Sequence, residues 1–131
     1  MSSYLLDSDV IIWYLRGRED TRNLMQDIQR AGVPFCTSLS ITEVVLGMRK
    51  REEDVTREFL DSLEVIPVGR QEGWLAGELI RKYRSQGTTL DFIDVIIAST
   101  CILHNLVLVT YNPKHFIMPD ITIYNFDHTS K

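Results

Sequence analysis

The sequence contains few of the residues that cross-link a protein or anchor it in a membrane. Its two cysteines, Cys36 and Cys101, are too few for a disulfide framework and too far apart for a Cys-x-x-Cys zinc or redox site. We therefore expect two reduced, buried thiols. No stretch approaches the ~20 apolar residues of a membrane helix, and the N-terminus lacks the basic and apolar regions of a signal peptide. These absences predict a cytoplasmic protein with no membrane association.

The sequence also lacks an excess of positive charge. Lys and Arg total 14 against 18 Asp and Glu, which gives a formal net charge of −4. Proteins that coat nucleic acid without specificity need clustered cations, so this charge argues against that class. It does not exclude an enzyme that acts on nucleic acid at one site. Two enzyme motifs are missing as well, the Gly-x-Ser-x-Gly nucleophile elbow and the glycine-rich phosphate loop.

What the sequence does contain is a regular alternation of strand and helix patterns. Apolar runs predict strands at 4–6, 34–37, 65–68, 106–109 and 121–124, and helical spacing predicts helices at 10–15, 19–30, 41–48, 53–63, 74–84 and 93–104. This alternation predicts a three-layer α/β/α sandwich around a central, mostly parallel sheet of four or five strands. The unbroken run at 106–109 is typical of a central strand, whereas Pro67 indicates an edge or a strand end. The length suits a single domain over residues 1–131.

Three acidic residues lie where such a sheet places its ligand site. Asp7 directly follows the first predicted strand, and Glu43 and Asp94 lie near the starts of helices that come after a strand or a long connection from one. These positions share one rim in a parallel sheet, at the carboxyl ends of the strands. Structural roles are the alternative. Asp7 could be a helix N-cap, and Glu43 could complete a capping box that begins at Ser40.

Asp94 has the weakest structural explanation, because it lies in a run of residues that we expect to be buried. A dry, unpaired carboxylate there is costly, and a divalent cation is the simplest compensation. Three carboxylates on one rim also raise each other's pKa unless a cation neutralises them. Carboxylate oxygens prefer Mg²⁺ or Mn²⁺ to zinc, so the set indicates metal-assisted phosphodiester or phosphoryl chemistry. The histidines show no metal-ligand spacing, and His104 is expected to pack on the apolar face of its helix.

Four short motifs, in this order along the chain, resemble those of the PIN-domain family. They are LLDSDVII (5–12), SITEV (40–44), DVIIAST (94–100) and LVTYN (108–112). Residues 113–116 and 119–121 match the usual tail. The resemblance spans nearly the whole chain, and the compact size is similar to that of the VapC-like toxins of type II toxin–antitoxin systems.

The resemblance implies a PIN-like fold and an endoribonuclease that depends on Mg²⁺ or Mn²⁺. Asp7, Glu43 and Asp94 would hold the metal and a water that attacks the phosphorus of RNA. The partners it implies are an RNA substrate, a cognate antitoxin and a second copy of the chain in a homodimer.

Four further residues receive auxiliary roles from the resemblance. Asn112 stands where relatives often have Asp, so it is expected to orient a water or phosphate rather than bind metal. Asp9, where many relatives have Asn, is expected to act from outside the metal's ligands. Thr110 is expected to hydrogen-bond Asp7 or the substrate, and Asp91 is expected mainly to cap its helix.

Two alternatives stay open from the sequence. A haloacid-dehalogenase-like phosphatase would use Asp7 as its nucleophile, in the sequence Asp-Ser-Asp-Val, with Thr37 or Ser38 binding phosphate. No convincing lysine or later acidic motif completes that set. The second alternative is a non-catalytic PIN-like interaction module, which the neutral Asn112 leaves possible.

Overall fold

A parallel β-sheet with helices on both faces forms the body of the protein. The computed structural model describes residues 2–126, and Met1 and residues 127–131 lie outside that description. The elements are β1 (Ser2–Leu6), α1 (Ser8–Leu15), α2 (Glu19–Ala31), β2 (Gly32–Thr37), α3 (Ser38–Gly47), a 3-10 helix (Lys50–Glu52), α4 (Glu53–Asp61), β3 (Glu64–Ile66), α5 (Arg70–Ser85), α6 (Phe92–His104), β4 (Val107–Val109), a second 3-10 helix (Pro113–His115) and β5 (Thr122–Ile123). The strand order is β3-β2-β1-β4-β5, and every neighbouring pair is parallel.

Alternate residues of the central strands face two different hydrophobic clusters. Leu6 of β1 and Val109 of β4 belong to a cluster with side chains of α1, α2, α3 and α4. Leu5 and Leu108 belong to the other cluster, with side chains of α5 and α6. A β-strand directs successive side chains to opposite faces, so both faces of this sheet are covered. The predicted three-layer sandwich is confirmed, with five strands, all of them parallel.

Glycine at position 32 allows the first two strands to pair closely. Gly32 is the β1–β2 partner of Ser2, and a Cβ atom there would lie 1.8 Å from the carbonyl oxygen of Ser2. Its φ of 179° is extended and open to any residue, so glycine is needed here for space rather than for conformation.

Four helices, α1, α3, α5 and α6, begin earlier than the sequence pattern predicts, and the N-caps of α1 and α3 show the cause. Helix α1 begins at Ser8 rather than Val10, because Asp7 is its N-cap. Helix α3 begins at Ser38, with Thr37 as the N-cap whose hydroxyl accepts a hydrogen bond of 3.1 Å from the Ser40 backbone N–H. The capping box that was predicted to begin at Ser40 is therefore wrong.

The other fold predictions concern the strand positions, the cysteines, His104 and membrane helices. The strand with Pro67 at its end, β3, is an edge strand, and β4 lies between β1 and β5, as predicted. Cys36 and Cys101 are buried free thiols. The prediction for His104 is wrong, because its side chain is 40% exposed and its Nε2 lies 2.6 Å from Oε2 of Glu72. Within residues 2–126, no helix is both long and apolar enough to cross a bilayer.

Candidate active site

Asp7 lies at the carboxyl end of the central strand and is held from two sides. Its backbone N–H donates to the Val109 carbonyl at 2.9 Å, which extends the pairing of β1 with β4 by one residue. Its Oδ1 accepts from the Ser8 N–H at 2.9 Å, and its Oδ2 accepts from the Thr110 hydroxyl at 2.8 Å. Both of its predicted contacts, as helix cap and as partner of Thr110, are present.

Burial dominates the electrostatics of Asp7. The residue is only 8% exposed. Burial, and after it the charge of Asp9, raise the pKa of Asp7 to about 7, although the hydrogen bond from Thr110 acts in the opposite direction. The charge of Asp94 adds a smaller contribution of the same sign. At neutral pH this carboxyl is therefore poised between its protonated and ionised forms.

Asp9 lies in the first turn of α1, and the loop that follows β4 holds one of its two oxygens. Its Oδ2 accepts from the Tyr111 backbone N–H at 3.1 Å and from Nδ2 of Asn112 at 2.9 Å. Its Oδ1 is buried and has no hydrogen-bond partner among the described residues. Burial raises the pKa of Asp9, and the charge of Glu43 contributes in the same direction. A buried acceptor without a donor is costly, and a water or a cation bound nearby by the other carboxylates would offset that cost.

Asp94 lies in the first turn of α6. Its backbone N–H donates to Oδ1 of Asp91 at 3.0 Å, which confirms Asp91 as the N-cap of this helix. Its own Oδ2 lies 3.3 Å from Nδ1 of His115. Burial and the charge of Asp91 raise the pKa of Asp94, and His115 lowers it.

Glu43 completes the acidic rim from α3. Its side chain is half-buried, and its charge contributes to the raised pKa values of both Asp9 and Asp94. The carboxylates of Asp7, Asp9, Glu43 and Asp94 are therefore electrostatically coupled at one edge of the sheet. This is the edge at which strand order reverses around β1, the usual ligand position in an open parallel sheet.

The donor chemistry of this rim fits a hard divalent cation. All four side chains offer carboxylate oxygens, and one buried oxygen of Asp9 is unpartnered among residues 2–126. Burial, with a further contribution from like charges, raises the pKa of three of the four carboxyls. No three His, Cys, Asp or Glu side chains within the described range stand close enough together to hold a metal as they are. As they stand, Asp7, Glu43 and Asp94 therefore do not form a preassembled three-ligand metal site.

His115 is the site residue that the sequence analysis missed. It lies in the short 3-10 helix Pro113–His115, where no helical or strand periodicity points toward the rim. The available signal was its position, a few residues after Thr110 and Asn112 on the loop that follows β4. A residue on that loop reaches the same edge as the residues that follow β1.

The sequence and the fold are both similar to those of known proteins. The sequence matches the PIN domain family over residues 4–119, a range that contains all four motifs. The chain belongs to the PIN-domain family. One relative, the ribonuclease VapC10 of Mycobacterium tuberculosis, is 32% identical over 114 residues, which cover 87% of this chain and 86% of the relative.

Solved structures of the PIN fold superpose closely on this PIN domain. A crystal structure of VapBC2 from Rickettsia felis, bound to a DNA fragment from its promoter, gives a TM-score of 0.84 at 23% identity and covers 95% of this chain and 99% of that one. A toxin–antitoxin complex from Klebsiella pneumoniae gives a TM-score of 0.76 at 25% identity, with 94% and 99% covered. The PIN-like fold implied by the four motifs is thus confirmed.

Proposed function

We propose that this PIN domain is a metal-dependent endoribonuclease and the toxin of a toxin–antitoxin pair. The observation that carries the proposal is the coupled rim of four carboxylates at the carboxyl edge of the sheet. The names of its relatives support the choice of RNA as substrate, because VapC10 is a ribonuclease. The proposed place of action is the cytoplasm.

The proposed metal ligands are Asp7, Glu43 and Asp94, with Mg²⁺ or Mn²⁺ as the ion. When bound, such a cation supplies a Lewis acid that polarises the phosphate and makes an attacking water more acidic. Carboxylates bind metal in their ionised form, so the proton that Asp7 retains near neutral pH competes with the ion.

In this proposal, the loop that follows β4 positions the carboxylates of Asp7 and Asp9. The hydroxyl of Thr110 donates to Asp7 and itself accepts from the Asn112 backbone N–H at 3.1 Å. The Asn112 side chain fixes Asp9, so its observed partner is a carboxylate rather than a water or a phosphate. One short loop thus holds Asp7 and Asp9 in place, and Asn112 acts through Asp9 without binding the ion.

Cleavage of a mixed RNA pool tests the activity. Wild type is incubated with Mg²⁺ or Mn²⁺, the product ends are mapped, and the same reaction is run with Asp94→Asn and with excess chelator. We expect defined cuts from wild type that are lost in both other reactions. Asp61→Asn is the matched control. Because Asp61 is exposed at the end of α4, this variant should cleave RNA as wild type does.

Three results would count against the proposal. Cuts shared by wild type and Asp94→Asn would identify a contaminating nuclease. A covalent aspartyl-phosphate trapped on Asp7 would support the dehalogenase-like phosphatase, although both oxygens of Asp7 are already hydrogen-bonded and the residue is buried. RNA binding without cleavage at any metal concentration would support the non-catalytic interaction module.

The proposed antitoxin has a suitable surface on the helical face around α1. A cavity of about 320 Å³ lies between α1, α3 and α4, lined mainly by apolar side chains such as Ile12, Leu15 and Val55. Val55 is 63% exposed, so an apolar segment of a partner would cover it. The solved Klebsiella pneumoniae complex supports a protein partner of this class.

Inhibition by the product of the neighbouring gene tests this partner. We expect co-purification and loss of RNase activity at equal molar amounts. Val55→Gln should weaken inhibition while cleavage persists, and Leu103→Gln, on α6 outside the cavity, is the control. An active chain that this product leaves unaffected would contradict the toxin assignment and spare the nuclease. Light scattering of the purified chain tests the proposed homodimer, which rests on the family resemblance alone.

A further inference from the structure

Two arginines and two aromatic rings form a cluster beside the acidic rim. The guanidinium carbons of Arg16 and Arg18 lie over the ring of Trp13, at 5.7 and 5.3 Å from its centroid. Arg18 also lies over the ring of Tyr111, at 5.3 Å. We call these four residues the arginine–aromatic cluster. Its distances fall within the range of cation–π contacts.

The turn between α1 and α2 builds this cluster. Gly17 has a φ of +83°, and the turn closes with the Arg18 N–H donating to the Trp13 carbonyl at 3.1 Å. The Gly17 N–H donates to the carbonyl of Tyr14 at 3.0 Å, which completes a Schellman cap. Backbone hydrogen bonds alone therefore hold Arg18 close to Trp13.

The cluster is continuous with the candidate active site. Trp13 lies four residues after Asp9 on α1, so the two side chains share one face of the helix. Tyr111, at the other end of the cluster, donates its backbone N–H to Asp9 at 3.1 Å and joins its hydroxyl to that of Thr21 at 2.6 Å. Trp13 and the arginines that lie over its ring therefore begin one helical turn away from Asp9.

The cluster also presents groups that can bind a ligand. Trp13 is 40% exposed, and both arginines are exposed. Arg18 pairs with Asp20 through Nε at 2.7 Å, and its terminal nitrogens have no partner among residues 2–126. Arg16 forms no ion pair within the same range. An arginine stacked on a ring keeps its N–H groups free at the edge of the guanidinium plane, where they can donate to phosphate.

We propose that the arginine–aromatic cluster binds single-stranded RNA next to the bond that is cleaved. One base stacks on the exposed part of Trp13, and Arg16 and Arg18 bind the adjoining phosphates. The carboxylate rim repels phosphate, so a substrate needs a nearby source of positive charge, and this cluster supplies it next to Asp9. An exposed tryptophan ring beside two arginines suits single strands, whose unpaired bases offer free faces. The inference rests on the proposed ribonuclease function.

Tryptophan fluorescence isolates the contact. The chain has two tryptophans, and Trp74, 72% exposed on α5, is replaced by Phe so that Trp13 reports alone. Asp94→Asn is added so that the RNA is not cut during the titration. We expect a short, unstructured RNA to quench Trp13, and a duplex of the same sequence to quench it much less.

Affinity measurements by anisotropy of labelled RNA give the energetic test. In the Asp94→Asn background, Trp13→Ala should weaken binding about tenfold or more, and Trp13→Phe should restore most of it. Arg16→Gln and Arg18→Gln should each reduce the dependence of log affinity on log salt by about one unit. Trp74→Ala is the matched control and should bind as its parent does.

The outcomes separate this inference from the proposed function. If wild type and folded Trp13→Ala cleave and bind RNA equally, the cluster is not the docking surface and the nuclease assignment stands. If an acidic peptide quenches Trp13 and RNA does not, the surface belongs to a protein partner and the inference is wrong. If wild type cleaves no RNA with any metal, the proposed function fails, whatever Trp13 binds.

Discussion

Asp7 shows how one side chain can serve the fold and the chemistry in opposite ways. Its hydrogen bonds to Ser8 and Thr110 anchor α1 and the loop that follows β4. Its burial makes the ionised form costly, and the pKa near 7 measures that cost. The fold favours the protonated acid, whereas metal binding requires the carboxylate.

Asp7→Asn should reveal this conflict as a pH-dependent gain in stability. The folded pKa of about 7 lies above the unfolded value of about 3.9, so wild type takes up a proton on folding between these values and loses stability as pH rises through them. Asn cannot ionise; its amide oxygen can still accept from the Ser8 N–H, and its NH₂ group can donate to the Thr110 hydroxyl in the reverse direction. Measured by urea unfolding without metal, the advantage of Asp7→Asn should grow by up to about 4 kcal/mol between pH 4 and pH 8.

The same variant should lose RNA cleavage, so stability and activity change in opposite directions. Asp61→Asn removes an exposed carboxylate and serves as the control for the loss of one negative charge. A stability difference between Asp7→Asn and wild type that stays constant from pH 4 to pH 8 would contradict the raised pKa.

Between helices, a hydrogen bond between the side chains of Glu72 and His104 ties α5 to α6. Glu72 lies in the first turn of α5 and is only 6% exposed. Its Oε1 accepts from the Gly69 backbone N–H at 2.9 Å, and its Oε2 lies 2.6 Å from Nε2 of His104 at the end of α6. The hydrogen bond to His104 lowers the pKa of Glu72 below its usual range. The start of one helix is thus fixed to the end of the next.

Glu72→Gln should weaken that connection. Because the folded pKa of Glu72 is lowered, its contribution is complete above the unfolded pKa and is lost as pH falls through the folded value. We expect the variant to lose about 1–3 kcal/mol of unfolding free energy at pH 7, and less in acid. A double-mutant cycle with His104→Gln measures the coupling of the pair directly. Additive effects of the two substitutions would contradict the contact.

The helices and strands also show how much of the fold could be predicted from the sequence. Strands and helices were placed correctly because apolar periodicity decides their type. Asp7 was singled out because strand ends share an edge, whereas Asp9 and Thr110 were singled out only through the resemblance to the PIN-domain motifs. Helix starts were less accurate, since Thr37 and Ser40 are equally good caps by residue type and only the backbone decides between them. His104 was misjudged because its partner, Glu72, is far away along the chain. His115 was missed because it lies outside any periodic pattern and its partner, Asp94, is also distant in the sequence.

For the whole molecule, the sheet separates two hydrophobic clusters, with one cysteine in each. Cys36 belongs to the cluster with α1 to α4, and Cys101 to the cluster with α5 and α6. Burial raises the pKa of Cys36 to about 11 and raises that of Cys101 as well. Neither thiol reaches solvent as a reactive thiolate in the folded state.

Thiol reactivity therefore tests the prediction that residues 1–131 fold as one domain. If both clusters unfold together, a thiol reagent should modify Cys36 and Cys101 at the same slow rate, which low concentrations of denaturant accelerate equally. Single variants Cys36→Ala and Cys101→Ala assign the two rates. Faster modification of one thiol would show that its side of the sheet opens independently, and the single-domain prediction would then be wrong.

The hydrogen bond from Thr110 to Asp7 joins residues separated by 103 positions in the chain. The strand that carries Asp7 lies between β2 and β4, so the candidate site depends on the pairing of β1 with a strand that is distant in the sequence. Without β4 and the loop after it, Asp7 keeps its contact with Ser8 but loses the Thr110 hydroxyl, and Asp9 loses the Tyr111 N–H and the Asn112 amide. Local detachment of β4 would therefore disperse the carboxylates while β1 and β2 stay paired.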